Sequence, residues 1–218
     1  MQPINLTING HTSKSELCEI GERTATDKSP YNPGHFRNER VFRHSYTPVY
    51  SMLFAPWKNK EINLGEVGIL QGGSLRLWRE YFTKAHLFAY DFYWEWLNMG
   101  LALNLPDTKI SYLDVTIPQT MTDAFGQVLG GFDIFIDDST HQFDDQIRVI
   151  HAAWPFVKSG GIMVVEDIFR STPEAKYTDA LADITSQFDF FAYLDVDHDN
   201  RTMAGWELND KLLYIVKR

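Results

Sequence analysis

Cysteine is nearly absent: Cys18 stands alone, so no internal disulfide and no thiolate metal cluster can form. Long apolar runs are missing too. No stretch approaches the ~18 uninterrupted apolar residues of a membrane span. The start, MQPINLTINGHTSKSE, lacks the basic residues and apolar run of a signal peptide. These absences lead us to expect a cytoplasmic, reducing setting and no membrane partner. Positive charge is scarce as well. Twenty Lys and Arg (20) against 29 Asp and Glu leave a formal net charge of −9, and the basic residues are scattered. Phosphate backbones are repelled by that average, so nucleic acid is not an expected partner. A cationic or neutral ligand, or a divalent metal, suits it better.

What is present describes an ordinary globular domain of 218 residues, 44% hydrophobic and 22% charged. Seven short segments predict strands, at 62–68, 87–91, 109–115, 132–137, 162–166, 188–194 and 211–216. Most are compact apolar runs, which suits strands buried on both faces. Helical patterns fall between them. Ser74 is placed to cap a helix whose Leu75, Trp78 and Phe82 share one face. Phe143, Ile147, Ile150 and Trp154 form a second stripe, with Asp144 and Asp145 in the first turn where the macrodipole favours acids. Weaker patterns cover 94–105, 118–129 and 173–188. The expected fold is therefore α/β and Rossmann-like: a seven-stranded, mostly parallel sheet with an antiparallel last strand and helices on both faces. Residues 61–218 form this core, and 1–60 are expected as a helical or irregular extension over the sheet's edge.

The stretch EVGILQGGSLRLW, 66–78, reads as strand, glycine turn and helix. Such a turn sits where open parallel sheets bind ligands. Gly68 and Gly72 permit close backbone approach, and a helix from Ser74 offers free N–H groups. The spacing is neither Gly-x-Gly-x-x-Gly nor a P-loop, and Glu66 ahead of it would repel a pyrophosphate. Asp91 ends the second strand, where an acid can hold ribose hydroxyls, and Asp114 ends the third, within reach of an adenine amino group. A sulfonium joined to adenosine, without phosphate, fits: S-adenosylmethionine.

FDIFIDDSTHQFDDQ, 132–146, and GGIMVVED, 160–167, both surface from buried runs into acids. The ends of neighbouring strands would bring Asp138, Glu166 and Asp167 together, and three carboxylates that close need a cation. Hard oxygen donors with room for water point to Mg2+. His141 is positioned to take a proton from a substrate hydroxyl. A one-residue slip would exchange the roles of Asp137 and Asp138, so Asp137 is kept among the cofactor-binding candidates. His44, Tyr46 and Tyr50 line the site or pack the extension down. DVDHDNRTMAGWE, 195–207, lacks the glycine and final acid of a calcium loop and reads as a polar connection.

With TDK at 26–28 and HSYTPVY at 44–50, these motifs resemble the metal-dependent sugar O-methyltransferases of antibiotic biosynthesis, a branch of the class I methyltransferases, over about residues 24–170. The resemblance implies that Asp138 with His141, and Glu166 with Asp167, supply metal ligands and base, and that Glu66, Gly68 and Asp91 bind the methyl donor. It also implies a sugar-containing hydroxyl acceptor. The chain departs from the family pattern at Ala25-Thr-Asp-Lys and at Asp-Asp-Ser-Thr-His, and its Arg-rich GHFRNERVFRHSY, 34–46, has no counterpart role. A metal-independent methyltransferase and a non-catalytic S-adenosylmethionine-binding protein are the rival readings. A homo-oligomer is compatible with the aromatic-rich extension.

Overall fold

The computed structural model describes residues 2–34, 41–202 and 209–218. The N-terminal segment supplies β1 (Ile4–Asn9), α1 (Glu16–Thr24) and α2 (Tyr46–Leu53). An alternating series follows: β2 (Asn63–Val67), α3 (Gly73–Tyr81), β3 (His86–Asp91), α4 (Trp94–Ala102), β4 (Thr108–Tyr112) and α5 (Pro118–Phe125). It continues with β5 (Phe132–Asp137), α6 (Phe143–Ala153), β6 (Val157–Ile168) and α7 (Glu174–Ala180), and closes with β7 (Phe188–Asp197) and β8 (Lys211–Lys217).

Among the described residues these strands form one sheet, in the order β1-β7-β8-β6-β5-β2-β3-β4. All are mutually parallel except β8, which runs antiparallel to β6 and β7 on its two sides. The chain leaves β2 toward β3 and β4, then returns to β5 on the other flank of β2. That reversal opens a crevice at the carboxyl ends of β2 and β5.

The apolar runs earn their burial by facing two cores at once. In β5, Phe135 joins Phe125, Trp154 and Phe188, while Ile134 and Ile136 join Leu17, Tyr50 and Trp78. This is the two-residue period of a strand covered on both sides. Residues of α5, α6 and α7 build the first core, and residues of α1, α2 and α3 the second.

Two expectations change. The sheet gains an eighth strand, β1, paired in parallel with β7. Its INLTIN does alternate, but Ile4 and Leu6 stay 48% and 42% exposed, so it lacks the buried apolar run that marks the other strands. The N-terminal helices, moreover, lie on a face of the sheet and not over its edge. Leu17, Ile20, Tyr46, Val49 and Tyr50 pack with strand residues Ile134, Ile136 and Val164, which they could not reach from an edge.

Local chemistry sets both helices. Ser15 caps α1 by accepting from the Cys18 N–H, and Ala25 closes it in a left-handed conformation. Ser45 gives α2 no side-chain cap; instead the N–H groups of Tyr46 and Thr47 donate to the Lys28 carbonyl, both at 3.1 Å. The cap of α3 is Gly72, at φ 72°, and Ser74 lies within the first turn instead of capping it. The Arg-rich residues 35–40 and part of the polar β7–β8 connection, 203–208, fall outside the described residues.

Phe125 sits with no exposure among Tyr90, Phe132, Phe135 and Phe156. Phe125→Ala should cost about 3–5 kcal/mol, read as a lowered urea midpoint with an unchanged slope. A loss below about 1 kcal/mol would show that this core readily collapses around the gap.

Candidate active site

The crevice is a cavity of about 450 Å³. Backbone bonds draw its floor together: the Asp138 N–H donates to the Val67 carbonyl at 2.9 Å, and the Gly68 N–H to that of Tyr90 at 2.8 Å. Gly68 turns at φ 102°, and a Cβ there would lie 2.0 Å from the Asp138 carbonyl oxygen. Only glycine permits β2 to approach β5 that closely.

Three non-glycine residues on the cavity wall, Leu70, His141 and Asp167, hold positive φ angles of 47°, 60° and 57°. Backbones of this kind persist when the surrounding structure over-determines them, and they gather at functional sites. Asp138, His141 and Asp167 each offer a ligand atom, all within 4.8 Å of one another. His141 Nε2 is 3.6 Å from Asp167 Oδ2, and His141 Nδ1 is buried without a partner.

Behind this face lies a deeper layer of buried charge. Lys28 is 1% exposed. Its Nζ donates to Glu166 Oε2 at 2.6 Å and to Asp138 Oδ2, and stands 3.5 Å from Glu66 Oε1. Burial alone would lower the Lys28 pKa, but Asp138, Glu166 and Glu66 outweigh it and hold it well above the usual lysine value. Tyr50 donates to Glu166 Oε1 at 2.6 Å, and Tyr46 donates to Asp167 Oδ1. Burial, reinforced by these acids, pushes both phenols well up, so they remain donors. His44 stacks on Tyr46 at 4.9 Å, with its Nδ1 3.5 Å from Asp167 Oδ1.

No family profile matches the chain. It is similar to demethylmacrocin O-methyltransferase of Streptomyces fradiae, with 29% identity across 59% of this chain and 33% of that protein. It is also similar to mycinamicin VI 2''-O-methyltransferase of Micromonospora griseorubida, at 27% identity across 73% of this chain and 40% of the relative. The chain thus spans between a third and a half of the length of these curated relatives. Among solved structures, the MycE methyltransferase of the mycinamycin pathway, in complex with Mg, SAH and mycinamycin VI, superposes with a TM-score of 0.64 at 20% identity. That match covers 94% of this chain and 55% of the other. An rRNA methylase from Streptococcus thermophilus follows at 0.55 and 10% identity, covering 82% of this chain and 98% of that one.

The chain has the Rossmann-like methyltransferase fold.

Within that fold the residues singled out from the sequence divide into two groups. Gly68, Ser74, Asp91, Asp138, His141 and Asp167 line the cavity. Glu66, Gly72, Asp114, Asp137 and Glu166 are not part of its wall. Each exclusion has a physical reason. Glu66 turns under α3, accepting from Ser74 Oγ at 2.7 Å and Trp78 Nε1 at 3.0 Å. Gly72 shapes the turn by capping α3. Asp114 accepts from the N–H and hydroxyl of Thr116, closing its own loop. Asp137 ends β5 on the Phe135 side, where alternation carries its carboxylate into the core. Glu166 is taken by Lys28 and Tyr50, so the expected trio of Asp138, Glu166 and Asp167 is not the one whose ligand atoms converge. Asp91 faces the cavity but already accepts from the N–H groups of Ile69 and Tyr93, both at 2.9 Å.

Lys28 carried no assigned role in the sequence beyond its place in TDK, although the structure puts it at the centre of the buried acids behind the cavity wall. Its partners lie 110 and 138 residues away, a proximity that local pattern does not encode. Tyr46 and Tyr50, one turn apart on α2, turn out both to line the buried acids and to pack the segment down.

Burial raises the Asp137 pKa to about 7, and its Oδ2 has no partner. The folded protein therefore keeps a proton that the unfolded chain releases near pH 4. This carboxylate's effect on stability becomes less favourable as pH rises from about 4 to about 7. Asp137→Asn should gain on wild type by about 2.6 kcal/mol between pH 5 and pH 8, measured by denaturant unfolding at each pH. A difference that does not change with pH would remove Asp137 as a titrating group.

Proposed function

We propose that this chain transfers a methyl group from S-adenosylmethionine to a hydroxyl of a sugar-containing small molecule, assisted by Mg2+. The observation that carries the reading is the convergence of Asp138, His141 and Asp167 beside a glycine-floored cavity at the switch point of the sheet. The curated relatives named above, which are O-methyltransferases, support it.

The residues suit both groups. The close approach at Gly68 leaves backbone, not side chain, facing the cavity, and Asp91 on the rim retains acceptor capacity for hydroxyls. The sulfonium is cationic, in keeping with the acids that surround the cavity and the net charge of −9. Asp138 and Asp167 would hold Mg2+, which commonly binds through one or two carboxylates and keeps several waters. When bound, the sulfonium supplies an electrophilic methyl group and the metal lowers the pKa of a coordinated hydroxyl.

The chain's own side chains do the rest. His141, a poor ligand for a hard cation, takes the hydroxyl proton on Nε2, the nitrogen that faces Asp167. Asp167 is fixed for that task by Tyr46, and the left-handed backbone at both residues sets the direction of the two side chains. Orientation of this kind is what an in-line displacement chiefly needs. We take residues 1–60 as part of the same catalytic unit, since Lys28, His44 and Tyr46 reach the reacting face from there. No described helix is long and apolar enough to cross a membrane.

Calorimetry should show S-adenosylmethionine binding, and EDTA should abolish turnover that added Mg2+ restores. Full activity in chelator would remove the metal from the reading. His141→Ala should leave donor affinity close to wild type while turnover falls ~100-fold or more. A near-normal rate would assign the base elsewhere.

A further inference from the structure

The helix α4 is apolar nearly all round, yet only one side of it is buried. Residues 92–105, FYWEWLNMGLALNL, carry a single charge, Glu95, in a chain that is 22% charged. Leu97 and Gly100 are the buried residues of the helix, seated against Ile69. On another side Trp94 and Leu101, two turns apart, stay 66% and 59% exposed. Trp94 stacks at 5.6 Å on Tyr112, itself partly exposed on β4, the strand at one end of the sheet. Tyr93 adds another half-exposed ring where the helix begins. A helix apolar on every side belongs inside a structure. Indole and phenol rings gathered on a surface have the composition of an interface core.

A ligand in the cavity does not cover this face. Phe92 and Trp96 belong to the cavity wall, whereas Tyr93, Trp94, Leu101 and Tyr112 lie outside it. An anionic membrane surface repels a chain with a net charge of −9. The same charge drives copies of the chain apart, and an uncharged face is where two of them meet without that penalty. β4 is guarded against strand pairing by the exposed Lys109, which leaves the helix as the contact.

We infer that α4 is the two-fold interface of a homodimer, with Trp94 of each copy set against Leu101 of the other. This does not depend on the reaction proposed above. A two-fold axis requires a surface complementary to itself. The midpoint between positions 94 and 101 falls beside Asn98, which is exposed and lies four residues after Trp94, on nearly the same side of the helix. Antiparallel α4 helices that meet at Asn98 place an indole against a branched aliphatic chain twice over. At the axis the two Asn98 amides face each other, each supplying both a donor and an acceptor. Glu95 projects about a quarter-turn away from the contact. At on the order of 100 Å² apiece, Tyr93, Trp94, Leu101 and Tyr112 approach the ~450 Å² of apolar area in a standard interface of ~800 Å² per partner.

Sedimentation equilibrium of the full chain at micromolar concentration should show a dimer. Trp94→Glu and Leu101→Glu change exposed side chains and should keep the wild-type circular dichroism, while each raises the dimer dissociation constant ~100-fold or more. Asn98→Cys reads the register: the oxidant diamide should join its thiols in an intermolecular disulfide, seen as a dimer band on a non-reducing gel. The native Cys18 is buried and does not compete. Leu129→Cys, at a position 90% exposed on the turn before β5, should not cross-link, and neither should Asn98→Cys carrying Trp94→Glu. A monomeric wild type would overturn the inference. So would a dimer that both glutamate variants leave intact, or an Asn98→Cys protein no more cross-linked than Leu129→Cys. Wild-type monomer captured by phosphatidylcholine vesicles, and released by Trp94→Glu, would give the face to a lipid surface instead.

Discussion

The burial of like charge is the constraint around which this protein is organised. Carboxylates at the ends of β2, β5 and β6 lie close enough to repel one another, in surroundings where that repulsion is poorly screened. A single ammonium, two phenols, a hydroxyl and an indole N–H answer it. Removing one partner from such a network is costly because it strands a buried charge. The network therefore ties the sheet to segments far away in the chain and makes their placement part of the site.

This explains why the N-terminal residues belong to the chemistry as well as to the fold. The segment from α1 to α2 carries Lys28, His44, Tyr46 and Tyr50, which between them contact Asp138, Glu166 and Asp167. The same segment buries Leu17, Ile20 and Val49 against the sheet. Apolar packing supplies the attachment, and the polar side chains on the same elements supply the selectivity of what is attached. Outward from this layer, Asp138, His141 and Asp167 present the reactive face, and the left-handed backbones at His141 and Asp167 hold it in a shape that few sequences tolerate.

Much of the architecture was legible beforehand because it rests on local pattern. The compact runs at 132–137 and 162–166 announced strands covered on both sides, and the short Asp-rich interval before the last strand announced the antiparallel return seen between β7 and β8. β1 escaped because its alternation spans only six residues and stays largely exposed. The helical stripe of α6 was readable, as was the glycine turn after β2, although its cap fell on Gly72 and not on Ser74. At the site, Asp138 and His141 could be named from the loop that follows β5, and Asp167 from the acidic end of the β6 run. Glu166 was named beside them, but its bonds to Lys28 and Tyr50 could not be, because adjacency in sequence does not say which donors a side chain meets.

The sequence by itself determined the alternation of strand and helix, the location of the crevice and the kinds of side chain around it, since period, glycine spacing and strand-end position are local properties. Tertiary structure alone decided how the acids divide. Lys28 claims Glu166 and part of Asp138, Trp78 and Ser74 claim Glu66, and the core claims Asp137. That division depends on which donors arrive from 110 or more residues away, and on the alternation that sends neighbouring acids to opposite faces of one sheet.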